Sequence, residues 1–145
     1  MFVIKREPDM MYEVDDMPDQ ITYDDLDDIV LLAYQFLEIS ADVPLEIEFD
    51  EDLEEFQCGN CDVDEDVIYV SLNPSMNLED VSRTLFHEMV HAKQILEGRL
   101  VLGNAKEPTT WDNKTYNEEY DNLPWEIEAF QKENEMFVKY WAEKG

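Results

Sequence analysis

Residues 78–96, LEDVSRTLFHEMVHAKQIL, constrain the fold of this chain more than any other stretch. At about 100° per residue, Leu78, Val81, Leu85, Met89, Ala92 and Leu96 fall within about 80° of one another and form one packing stripe. Phe86 and Val90 occupy a second sector, so a helix here is apolar around much of its girth and belongs at the centre of a fold rather than on its surface. Asn77 offers an N-cap, Glu79 and Asp80 load the first turn with negative charge, and Gly98 stops the helix. The rest of the chain must pack around it.

The other segments supply that packing. ITYDDLDDIVLLAYQFLEIS reads as a first helix: Thr22 with Asp25 resembles a capping box, and Leu26, Ile29, Val30, Ala33, Phe36 and Leu37 recur at helical spacing. LEIEFD alternates, so Leu45, Ile47 and Phe49 face a core from a strand whose other face is wet. Val67 to Leu72 form a second strand in the same small sheet, ended by Asn73 and Pro74. Residues 98–122 mix turn formers and aromatics and predict hairpin or loop, and a last helix starts at LPWEIEAF with Pro124 in its first turn. With 145 residues, 44% hydrophobic and 12% aromatic, the expectation is a single α+β domain over 1–145, a short mixed sheet packed on the central helix and a C-terminal helix.

Charge divides the chain. The formal net charge is -27, and nearly all of the excess lies in residues 1–66, ahead of the motif-bearing half 67–145. Such a field repels nucleic acid and anionic membranes and attracts basic proteins or peptides, although a solvated acidic face that keeps the protein soluble explains it as well. No apolar run approaches a membrane span and the N-terminal stretch lacks an extended apolar core, which predicts a cytoplasmic protein. Cys58 and Cys61 form a CxxC, only half of a structural zinc site; a hairpin tip with Gly59 and Asn60 at the turn accounts for the spacing.

The central helix also carries both histidines of the chain, His87 and His91, with Glu88 between them. Chance puts two histidines four apart with a glutamate after the first roughly once in 500 such chains. The pair lies on the side opposite the packing stripe, where two imidazole nitrogens reach one cation, each at about 2.0–2.1 Å for zinc. Zinc acidifies a water at its open position, so a neighbouring carboxylate can take the proton ahead of attack on a peptide carbonyl and return it to the leaving amine. Glu88 fits that general base.

A catalytic zinc needs a third protein ligand, and no histidine remains. The last helix offers Glu126, Glu128 and Glu133. Helical projection places Glu126 with Ala129, Phe130, Glu133, Phe137 and Tyr140, whereas Glu128 shares a side with Glu135 and Lys139. A carboxylate on an apolar face is costly unless paired or bound to metal, which selects Glu126 as the ligand, with Glu133 as a competing inward carboxylate or an outer support. Tyr116 and Tyr120 are in position to offer a phenol to an oxyanion, with plain packing as the simpler role.

TLFHEMVHAKQ followed by LPWEIEAF resembles the zincin metallopeptidases of the gluzincin type, in particular minimal HExxH proteins of phages and bacteria distantly akin to the ImmA/IrrE and SprT-like groups. The resemblance covers residues 67–142 at most. It implies a zinc peptidase with an active-site helix packed under a short sheet. In the ImmA/IrrE pattern the ligand Glu stands three residues before an Ala, as Glu126 stands before Ala129; the Asn that follows in that pattern is Phe130 here. The expected function is zinc-dependent peptide hydrolysis, more as an endopeptidase than an exopeptidase, on a protein or peptide substrate that the acidic half favours as basic. The alternatives are an acidic non-enzymatic binder, such as a DNA mimic or an inhibitor of a basic nucleic-acid-binding protein, and a zinc-binding pseudopeptidase.

Overall fold

A computed structural model describes residues 2–6, 10–53, 58–103, 106, 108–116 and 123–144, with backbone alone for 2–6, 10 and 11. Among them are three helices and two sheets in an α+β arrangement. The larger sheet has the order β1 (Phe2–Arg6), β2 (Met10–Asp15), β3 (Leu45–Phe49), β5 (Val67–Leu72), β4 (Gly59–Asp64). It is mixed as expected: β2, β3 and β5 are mutually parallel, and β1 and β4 run antiparallel at the two edges. Helix α1 (Tyr23–Phe36) is the crossover from β2 to parallel β3. Its N-cap is Thr22, whose hydroxyl accepts from the Asp25 amide at 3.1 Å.

Alternation decides which face of the sheet is dry. Tyr12, Val14, Leu45, Ile47, Phe49, Ile68, Val70 and Leu72 are all buried and pack into one core with α1 and α2 (Leu78–Leu96). The opposite face is acidic: register pairs Glu13 with Glu46 and Asp15 with Glu48, and exposed Tyr69 stands between Glu46 and Asp62. Like charges directly opposite each other weaken a sheet, so this face is kept at some cost in stability.

Helix α2 is central. Val81, Leu85, Phe86, Met89 and Ala92 are fully buried, and α3 (Pro124–Lys144) packs along it through Ala129, Met136 and Tyr140. Trp141 Nε1 donates to Ser82 Oγ at 3.2 Å, and Lys144 bonds Asp25 at the start of α1. Between α2 and α3 the chain forms the second sheet, β6 (Leu100–Val101), β7 (Thr109–Trp111) and β8 (Lys114–Tyr116), whose Leu100 and Trp111 join Trp125 in a small separate core. No helix among the described residues is long and apolar enough to cross a membrane.

Three sequence expectations need correction. The β4–β5 hairpin turns at Glu65 and Asp66, both at positive φ (51° and 63°), not at Gly59 and Asn60. Two consecutive left-handed residues match the right-handed twist of the strands, a geometry that Asp112 and Asn113 repeat between β7 and β8. Gly59 instead opens β4, where an added Cβ would stand 2.7 Å from the Ser71 carbonyl oxygen and 3.0 Å from Thr84 Cγ2, so only glycine lets β4 approach both β5 and α2. The CxxC is therefore no turn: Cys61 packs toward the core, whereas Cys58 lies exposed ahead of the strand, and both thiols are free. Finally, Phe130 does not enter the core; it is 62% exposed, with its ring against His87.

Candidate metal centre

His87 and His91, one turn apart on α2, meet Glu126 from the first turn of α3. These three offer ligand atoms within 4.8 Å of one another, the single such group among the described residues. Glu126 Oε1 stands 3.1 Å from His87 Nε2 and 2.8 Å from His91 Nε2, and the two Nε2 atoms are 3.2 Å apart. Donors at zinc distance on a tetrahedron stand about 3.3 Å from each other, so the trio is spaced for one small cation.

The outer atoms settle which nitrogens carry protons. Glu133, 5% exposed, places Oε1 2.9 Å from His87 Nδ1 while its Oε2 accepts from Arg83 Nη1 at 2.7 Å. A carboxylate there only accepts, so His87 Nδ1 is the donor. Gln94 is fully buried, and its Nε2 donates both to the Trp125 carbonyl and to Glu128 Oε1, each at 3.1 Å. Its Oε1 must then face His91 Nδ1, 2.9 Å away, which makes that nitrogen a donor as well. In the neutral imidazoles both Nε2 lone pairs consequently point at a carboxylate oxygen. Three acceptors converge with no hydrogen among them, a cluster that only a cation or an added proton satisfies.

Electrostatics describe the same demand. Burial alone would lower the His87 pKa, but hydrogen bonds to Glu126 and Glu133 and the charge of Glu88 raise it from 6.5 to about 9. Burial opposes the charged form of His91 too, and Glu126 and Gln94 override it upward. Bonding to both histidines holds the Glu126 carboxyl well below the usual carboxylate range. Glu88 is raised, chiefly by burial, with the histidines opposing and Glu126 and Glu133 adding to the rise. A carboxyl so placed, lining the same cleft as the ligand trio, is suited to exchanging a proton near neutral pH.

The two other glutamates take supporting places. Glu133 orients His87. Glu128 does not share the solvent side of Glu135 and Lys139; it is bound by Arg99 through two contacts of 3.2 and 3.0 Å, and Arg99 lies over the Trp111 ring at 4.3 Å. Sequence reasoning missed Arg83, Gln94 and Arg99. Arg83 and Gln94 project onto the same face of α2 as the histidines, and polar residues flanking two inward histidines on one face are the available signal. Tyr116 packs edge-on against Trp125 at 5.6 Å, a packing role, and Tyr120 lies outside the described residues. Burial and the charges of Glu88 and Asp62 push the Cys61 thiol up, so it is a neutral lining of the cleft wall and no thiolate ligand. No family model, curated protein or solved structure matches this chain.

Proposed function

We propose that this protein is a metal-dependent peptidase with zinc as its ion. The observation that carries the reading is the set of three converging acceptors, with both imidazole tautomers fixed from outside. His87, His91 and Glu126 hold the ion, which supplies Lewis acidity toward a water and a substrate carbonyl. Glu88 takes the proton from the attacking water and returns it to the leaving amine; its raised pKa suits both transfers. The resemblance of HEMVH and the following Glu126 to the gluzincin pattern supports the same roles. Strand β4, last in its sheet, runs along the cleft, which favours an extended peptide over a compact amide.

Elemental analysis of the purified protein is expected to give about one zinc per chain, lost in His91→Ala and reduced in Glu126→Gln. Glu88→Gln should keep the metal and lose hydrolysis of a denatured protein substrate. A wild-type protein that binds no divalent metal refutes the reading, and one that binds zinc without hydrolysis is a pseudopeptidase.

The acidic outer face of the larger sheet supports a second reading, an acidic binder of basic proteins. That association would weaken with salt and survive Glu88→Gln; its absence at low ionic strength rules it out.

A further inference from the structure

The cleft, about 250 Å³, does not end at the ligands. Helix α2 continues under it, and Ile95, one turn beyond His91, forms the floor of an apolar recess closed on the far side by Leu100, Leu102 and Trp125. The near wall is β4, at Gly59 to Cys61. Among the described residues no lysine or arginine lines the cleft, and its charged groups all lie at the catalytic end. Leu100 and Trp125 are 2% and 5% exposed and held in the small core with Trp111, so the recess is a rigid feature of the second sheet. Leu102, by contrast, is 51% exposed at its lip.

We infer that this recess receives a large aliphatic or aromatic side chain of the residue flanking the bond to be cut, and that Leu102 is its main specificity-determining residue. The inference rests on the peptidase reading for its chemistry and on the lining for its selectivity. A residue in an extended peptide advances about 3.3 Å along a strand, and one helical turn advances about 5.4 Å. A peptide lying along β4 with its carbonyl over the histidines therefore sets a neighbouring side chain above Ile95. An apolar side chain there gains from covering Leu102 and Ile95. An acidic one meets Glu88 and Glu126 at one end and no cation at the other. Hydrophobic recesses of this kind discriminate a branched or aromatic side chain from a methyl by roughly 10- to 100-fold.

Two measurements on the zinc-loaded protein test the inference separately from turnover. In the first, amino-acid hydroxamates, which anchor on a metal whether or not hydrolysis follows, are compared by calorimetry with isobutyl, benzyl, methyl and carboxymethyl side chains. The isobutyl and benzyl compounds should bind about tenfold or more tighter than the methyl compound, and carboxymethyl weakest. Leu102→Ser and the milder Leu102→Ala should compress the isobutyl-to-methyl ratio toward unity; equal affinities in the wild type overturn the inference. In the second, cut sites in a denatured protein are mapped by mass spectrometry and should be flanked by Leu, Phe, Met or Ile. Cleavage without that preference overturns the recess and leaves the peptidase standing. Selective hydroxamate binding with no cleavage supports the recess and removes the peptidase.

Discussion

Replacing Glu133 by Gln should weaken zinc binding by roughly 10- to 100-fold without touching a ligand. The wild-type carboxylate serves two donors, His87 Nδ1 at 2.9 Å and Arg83 Nη1 at 2.7 Å. An amide has one accepting oxygen and one donating nitrogen. With the oxygen toward Arg83, the amide NH2 faces His87 Nδ1, and the ring satisfies it only by moving its proton to Nε2, into the ligand position. With the oxygen toward His87, the amide NH2 meets the guanidinium and the charge pair is lost. Either way a donor is set against a donor in a site where Glu133 is 5% exposed, a cost of about 1–3 kcal/mol. At about 1.4 kcal/mol per tenfold, that matches the expected loss in affinity. The Arg83 side chain is 42% exposed and can turn to water, which places the lower bound near tenfold. Competition against a chromophoric chelator measures the effect, with exposed Glu135→Gln on the same helix as a charge control. A folded Glu133→Gln protein with affinity within about twofold of wild type refutes the outer-shell logic on which the tautomer assignment depends.

In the metal-free protein the His87 pKa is raised from 6.5 to about 9, so its stabilisation is complete below about pH 6.5 and disappears as pH climbs to about 9. Melting temperature should fall across that window in the wild type and much less in His87→Gln. Zinc binding should release protons in the same window, read as a calorimetric heat that varies with buffer ionisation. With a net charge of -27, melting temperature should rise from about 20 to about 500 mM NaCl. Glu46→Lys, set between Glu13 and Tyr69, should stabilise by about 0.2–1 kcal/mol in chemical denaturation and flatten that salt response. Gly59→Ala forces its Cβ to 2.7 Å from the Ser71 carbonyl oxygen, and should destabilise by about 1–3 kcal/mol and displace the β4 wall of the cleft.

The elements with strong local grammar are legible in the sequence. Asn77, a long apolar stripe and Gly98 bound α2, and the same logic places Thr22 at the start of α1 and Pro124 at the start of α3. Choosing Glu126 among three glutamates works because a 100° projection fixes which carboxylate can look across to a neighbouring helix. Projection fails at Phe130, whose face is right but whose position lies beyond the edge of α2, beside His87 and open to solvent. Strand β2 escapes notice because its inward Tyr12 and Val14 are separated by Glu13 and followed by acidic residues, too short a run to stand out. Turns at Glu65–Asp66 and Asp112–Asn113 carry no glycine, so Gly59–Asn60 draws the hairpin tip to the wrong place. The Gln94–Glu128–Arg99 chain leaves no pattern because a hydrogen-bond relay has no period.

The placement of the trio on two helices has a mechanical consequence. An ion shared by α2 and α3 is a clasp across about 35 residues of chain, from His91 to Glu126, and on the entropy scale used for disulfides closing such a loop is worth about 4 kcal/mol. Cys58 and Cys61 are both free, so this clasp would hold the role that a disulfide fills in other small domains. Chelation would then do more than silence a site. It would unlatch α3, so amide hydrogens along Pro124–Lys144 should exchange faster once zinc is withdrawn, while those of β3 and β5, clamped between neighbouring strands, should hold.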